Sequence, residues 1–328
     1  MKRLMIYAAT AITLMGCSND PGCDWDRSQK PGVDLGSEDI RIEALLADVQ
    51  PVTRTSIDGT GKASWINGDA LGLFCPQAKA PAVNVSYTVS GLPASPVWAP
   101  ATGIYWADGA TSHTFLAYAP YASGNTSASS VKLPALTPQT GTVNPAQDFL
   151  ISNNYGTTGL VRPVSGNSNV GLIFTHAFAL VQLQFTINAS VASGTTLQSC
   201  VLAGGTSDKL YTSDGNSTIS LSTGAITATG TTTNTLTVSP TTPPVLSSTA
   251  TSLFFVILPG TFIPTVQITL SEGGSTITVP TGSLTSTTYN AGSKYMYTVS
   301  ISRTAISLSN PTITDWNAVS SGSINGGI

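Results

Sequence analysis

Residues 170–187 read VGLIFTHAFALVQLQFTI, the longest apolar run in the chain after its first few residues. The second half of this run alternates. Val181, Leu183, Phe185 and Ile187 fall on one side, and Gln182, Gln184 and Thr186 fall on the other. Successive side chains of a strand point to opposite faces, so a period of two predicts a strand with one face in a core. The same pattern continues toward the C-terminus. Residues 253–258, LFFVIL, form an unbroken apolar run stopped by Pro259 and Gly260, which predicts a strand buried on both faces. Residues 266–270 and 276–279 flank Glu272-Gly273-Gly274, a hairpin signature. Tyr295, Tyr297, Val299 and Ile301 alternate with Met296, Thr298, Ser300 and Ser302, and short strands are expected at 218–221 and 236–238.

Toward the N-terminus, residues 114–119, TFLAYA, read as a strand closed by Pro120, and Asn67-Gly68-Asp69 marks a turn before the apolar residues 70–74. Residues 40–49, IRIEALLADV, fit either a strand or a short helix. After residue 50 no segment holds a helical stripe for three turns. Many short strands at this spacing predict an all-β chain of two tandem sandwiches, residues 39–169 and 170–328.

The chain begins differently. Lys2 and Arg3 precede an apolar run over residues 4–15, followed by Gly16-Cys17. A basic start, a short apolar core and a small residue before cysteine read as a lipoprotein signal peptide over residues 1–16, with Cys17 carrying a palmitate-type acyl anchor. A run of about 12 residues is too short for a permanent span, which needs about 20. Residues 17–38, rich in Pro, Gly, Ser and Asp, read as a flexible tether, and Asp20, Asp24 and Asp26 within it as solvated charges.

Charged residues make up 9% of the chain, well below the average of about 25%. Serine and threonine supply roughly a quarter, so the polar faces carry neutral hydroxyls. No basic patch exists to neutralise phosphates, which excludes nucleic acid as a partner. Cys23, Cys75 and Cys200 are far apart and form no metal-type pair, and Cys75 and Cys200 sit in apolar contexts that suit buried free thiols. His113 and His176 lie in strand-like runs without a second ligand at metal spacing and read as structural. Gly59-Thr60-Gly61-Lys62 lacks the earlier glycine and the Ser or Thr of a phosphate loop and reads as a turn. No nucleophile elbow, metalloprotease motif or paired carboxylates stand out, so the expectation is a chain that is not an enzyme and uses no cofactor and no metal. Of the five tryptophans, Trp98 and Trp106 flank Pro100 and Gly103 near a turn, and they are the candidates for a ligand-binding aromatic platform.

Thr53-Arg54-Thr55, followed by residues 65–74, WINGDALGLF, resembles the opening of fimbrillin-like lipoproteins of the Bacteroidetes. Further matches follow in order: Tyr105-Trp106, residues 115–120 (FLAYAP), residues 147–150 (QDFL), residues 174–177 (FTHA), residues 291–297 (AGSKYMY) and residues 313–316 (ITDW). The resemblance implies two transthyretin-like β-sandwiches and export as an outer-membrane lipoprotein. It implies a place in a cell-surface fimbrium, with other pilin subunits as partners. In the pilins of that family a protease cuts after an arginine, the first strand leaves, and a neighbour's strand enters the groove. Carried onto this chain, Arg54 is the candidate cut. The displaced strand lies within 40–49, with Ile40, Ile42, Ala44 and Leu46 along one face. Residues 317–328, NAVSSGSINGGI, make a poor donor strand, because Ser and Gly dilute Val319, Ile324 and Ile328. That favours a tip or accessory subunit over a stalk subunit. The alternative is a surface lipoprotein that binds a glycan or host protein without polymerising.

Overall fold

The alternation read from the sequence becomes alternation in burial. In the computed structural model, the strand Ala179–Ile187 sends Val181, Leu183 and Phe185 into one core. Residues 39–46, 55–57, 63–109, 111–162, 169–229, 232–285, 287–303 and 305–316 are described. Ala179–Ile187 pairs antiparallel with Thr251–Ile257 and parallel with Ser293–Ile301. Ile306–Leu308 and Thr312–Asp315 both pair antiparallel with Ser293–Ile301, and so complete a five-stranded sheet. Tyr295, Tyr297, Val299 and Ile301 all point inward, as their spacing predicts. A second sheet, in the order Thr235–Val238, Thr196–Ala203, Thr265–Glu272 and Ser275–Ser283, adds Cys200, Leu202, Val266, Ile268 and Leu270 to the same core. Its hairpin turns at Gly273 and Gly274, with φ of 57° and 83°. Those left-handed values need glycine, which is why the Gly-Gly pair marks the turn.

The N-terminal half is a seven-stranded sheet. Its order is Arg41–Leu46, Asn169–His176, Leu150–Leu160, His113–Ala119, Ala70–Cys75, Ala82–Ser90, Val97–Pro100. The first and last strands in this order lie against each other. The sheet therefore rolls around its own core, and Arg41–Leu46 sits at the seam. Leu71, Leu73, Phe115, Ala117, Val170, Leu172 and Phe174 fill the inside.

A third core joins the two halves. Phe254, Val256 and Leu258 face it, whereas Leu253, Phe255 and Ile257 face the core of the five-stranded sheet. The LFFVIL run is thus buried on both faces, as its lack of alternation predicts. Phe74, Tyr118, Phe149 and Ile151 meet it from the seven-stranded sheet, and Trp316 closes it from the last strand. The buried amide of Gln139 seals the edge of Thr251–Ile257. Val256 N donates to Gln139 Oε1 at 2.9 Å, and Gln139 Nε2 donates to Val256 O at 2.8 Å.

The described part of the chain forms a single compact unit, in which the third core bridges the two sheet systems. The 170–187 stretch holds two strands. Asn169–His176 belongs to the seven-stranded sheet, and the chain crosses over at Ala177 and Phe178. Val170, Leu172 and Phe174 alternate into the core of that sheet. Among the described residues the helical content is one 3-10 turn, Pro145–Gln147, capped by the Asn144 side chain. None of their helices is long and apolar enough to cross a membrane.

Candidate functional site

Within residues 40–49, Arg41–Leu46 form a strand. The strand Arg41–Leu46 has the burial pattern of an amphipathic edge, and Ile40, Ile42, Ala44 and Leu46 are all buried in the core of the seven-stranded sheet. It pairs parallel with Asn169–His176 through six residue pairs, from Arg41 with Asn169 to Leu46 with Phe174. Ile42, Ala44 and Leu46 thereby stand beside Val170, Leu172 and Phe174 on the inner face. The strand is fastened at its start. Ile40 N donates to Ile104 O at 2.8 Å, and Tyr87 hydroxyl donates to Ile40 O at 3.2 Å. Burial holds the Tyr87 hydroxyl above its ordinary pKa, with Cys75 and Asp39 adding to the rise. Residues 47–49 and Arg54 lie outside the described residues, as do Cys17, the signal and tether segments, the 59–62 turn and residues 317–328.

The two candidate platform tryptophans part company. Trp106 is 1% exposed and packs edge-on against His113 at 4.8 Å and Phe115 at 5.7 Å, so neither face is open to a ligand. Trp98 is 8% exposed and packs edge-on against Trp65 at 5.0 Å, but it also lines a cleft of about 440 Å³ with Ile40, Arg41, Val97, Pro100 and Ile104. Of the two rings, only Trp98 lines that cleft. Trp106 is a core residue, because its segment turns inward before His113–Ala119.

Both histidines are structural in different ways. His113 Nδ1 donates to Thr111 O at 2.8 Å, and Nε2 accepts from Ala107 N at 3.1 Å. His176 Nδ1 donates to Asp148 Oδ1 at 2.6 Å inside the protein, and the Trp316 ring stacks on the imidazole at 4.1 Å. No group of His, Cys, Asp and Glu among the described residues could hold a metal. Cys75 and Cys200 are buried free thiols, and burial pushes the Cys75 thiol up to about 11.

The ordered sequence motifs now acquire physical causes. Gly68 takes φ of 95° in the turn, and Asp69 Oδ2 accepts from Ile66 N at 3.0 Å. Gly72 has no room for a Cβ, which would collide with the Tyr118 ring and the Asn84 side chain. The Tyr118 hydroxyl in turn gathers Asn84, Ala122 and Asn125. The GDALGLF and FLAYAP segments therefore fit one another. The later motifs converge too: Asp148, His176, Gly292 and Trp316 meet at one junction, where Gly292 N donates to Phe178 O and Trp316 N donates to Gly292 O. Sequence reading missed the Asp148–His176 pair, whose signal was the joint presence of the QDFL and FTHA segments.

None of the curated proteins matches this chain. Solved structures do. One from Bacteroides uniformis, provisionally described as a cell adhesion protein, is 19% identical, with a TM-score of 0.55 over 85% of this chain and all 100% of that one. Another from Bacteroides ovatus, of the same provisional description, is 15% identical, with a TM-score of 0.54 over 85% of this chain and 97% of that one. At such identities the likeness establishes the shared fold. The family itself is set by the sequence profile described as fimbrillin-like, which matches residues 53–316, from just before Arg54 to the Trp316 that stacks on His176. With most of its length inside that match, this chain belongs to the fimbrillin-like family.

Proposed function

We propose that this chain is a non-enzymatic subunit of a cell-surface fimbrium that joins its neighbours by strand exchange at the seam closed by Arg41–Leu46. On this reading it is exported as a lipoprotein acylated at Cys17 and held at the outer membrane, and its two sheet systems correspond to transthyretin-like sandwiches. A cut after Arg54 frees the first strand. A strand from another subunit then fills the same groove by backbone pairing and alternate side-chain burial. The observation that carries the proposal is the position of Arg41–Leu46. It is an edge strand with one ladder partner, yet four of its neighbourhood's side chains are buried. Burying Ile40, Ile42 and Leu46 contributes about 1.5–3 kcal/mol each. Giving that up to water is costly, so the strand leaves when a replacement buries as much. Residues 317–328 offer neither register a comparable set of large side chains, which favours a tip or accessory role over a stalk role.

The test is digestion of the whole protein with an Arg-specific protease, followed by N-terminal sequencing and incubation with a labelled peptide of residues 40–49. A new N-terminus at Thr55 and uptake of the peptide are expected. A protein that keeps residues 40–54 covalently attached, or that never takes up the peptide, refutes the proposal.

One observation favours a second reading. The cleft beside Trp98 has the Asp39–Arg41 ion pair at its rim, at 3.8 Å, and an apolar floor. A sugar ring on a non-polymerising surface protein would use such a combination. Glycan-array binding that disappears in Trp98→Ala with folding intact supports this reading, and an array without signal removes it.

A further inference from the structure

The strand next to the seam is unusually dependent on the strand that closes it. Asn169–His176 has a six-pair ladder with Arg41–Leu46 on one side. On its other side the ladder with Leu150–Leu160 covers two pairs, Thr175 with Ile151 and His176 with Leu150. The reason lies in Leu150–Leu160, whose register against His113–Ala119 shifts between Phe115 and Ala117, so that it bulges away just where the pairing should continue. Asn154 sits on that bulge. Its Nδ2 donates to Gly171 O at 2.9 Å, and its Oδ1 accepts from Ile173 N at 3.1 Å. Ser152 hydroxyl also donates to Oδ1 at 2.9 Å, which fixes the amide's orientation. The side chain thus bonds one donor and one acceptor of the neighbouring strand, as a paired backbone residue would.

We infer that Asn154 is the positioning residue of the strand-acceptor site, holding Asn169–His176 in register while Arg41–Leu46 is absent. This rests on the strand-exchange reading above. With the first strand in place, six ladder pairs and the Asn154 bridge hold Asn169–His176 together. With it gone, the contacts that hold the stretch from Gly171 to Phe174 include its inward side chains and the Asn154 bridge. The outer edge that an incoming strand must meet is then straight only if that bridge holds. The partner it suits is an extended, alternately apolar segment, because the edge offers backbone groups beside Val170, Leu172 and Phe174.

The experiment uses the whole protein nicked after Arg54, with the labelled residue 40–49 peptide as probe. Asn154→Ala is expected to weaken peptide capture by about 30-fold, the effect of two lost hydrogen bonds. The uncut Asn154→Ala protein loses the same two bonds but keeps its six-pair ladder, and should melt about 4–8 °C below the parent. Asn154→Asp keeps the acceptor for Ile173 and loses the donor to Gly171, and it should fall between. Amide exchange at Ile173 in the nicked protein should rise in Asn154→Ala and remain slow in Asn154→Asp. Capture by Asn154→Ala at the parental level overturns the inference, and so does amide exchange at Ile173 in the nicked protein that Asn154→Ala leaves unchanged. If the nicked parent itself captures no peptide, strand exchange fails and this role falls with it.

Discussion

Removing the His176 imidazole should cost this protein a large share of its stability. Its side chain is 3% exposed and that of Asp148 is fully buried, and the two meet at 2.6 Å. His176→Ala empties the space of a buried ring and removes its 2.6 Å hydrogen bond to Asp148, which together cost about 3–5 kcal/mol. It also strips the stacked face from Trp316, worth about 0.5–1.5 kcal/mol. We therefore expect about 4 kcal/mol of destabilisation. At roughly 2–4 °C per kcal/mol for a chain of this size class, the melting point should fall by about 8–16 °C. Urea unfolding followed by circular dichroism and tryptophan fluorescence measures it, and the midpoint should fall at unchanged slope. His176→Ala with Asp148→Ala forms a double-mutant cycle, whose coupling should be at least about 1 kcal/mol, because both changes delete the same hydrogen bond. A single-mutant cost below about 1 kcal/mol, or a coupling near zero, would show that the pair is held by something other than mutual burial and would refute the reasoning.

Three other substitutions and treatments follow from the same packing. Gly72→Ala drives a methyl group into the Tyr118 ring and Asn84, and it should lower stability by about 1–3 kcal/mol in urea titration, with Tyr118→Phe failing to relieve it because the ring remains. Gln139→Ala strands the N–H and C=O of Val256 at a buried edge, so a loss of about 2–4 kcal/mol is expected by thermal unfolding. The Cys75 thiol, pushed up to about 11 by burial, is neutral at pH 8 and enclosed, so its reaction with a thiol reagent should wait for unfolding and accelerate with added denaturant.

How legible was this molecule in its sequence? Strand identity was written in local alternation, which needs nothing beyond the residue and its neighbours. Tyr295, Tyr297, Val299 and Ile301 point inward because their spacing leaves them no other choice. The LFFVIL run announced two buried faces but could not say which second core it would meet. What the pattern could not carry was partnership across distance. Asn169–His176 and Ala179–Ile187 read as one stretch because both are apolar and contiguous, and only the three-dimensional neighbours of Val170 and Val181 place them in different sheets. Trp106 shows the same limit. Position near a turn suggested exposure for Trp98 and Trp106 alike, yet Trp106 ends in the core because its segment leads into His113–Ala119.

The site is legible to a similar depth, and the distinction bears on what this fold can do. Alternation in Ile40, Ile42, Ala44 and Leu46 marks a buried edge, but edges are common and most are permanent. The detachable character proposed here comes from an asymmetry that no local pattern encodes: six ladder pairs on one side of Asn169–His176 and two on the other, with an asparagine bridging the gap. The family motifs reach the same edge: the FTHA segment supplies Phe174, which pairs with Leu46, and His176, held between Asp148 and Trp316. On the strand-exchange reading proposed above, a subunit that gives up its first strand must keep the next one in place, and the His176 junction at one end of Asn169–His176 and the Asn154 bridge along it are the contacts that would do so.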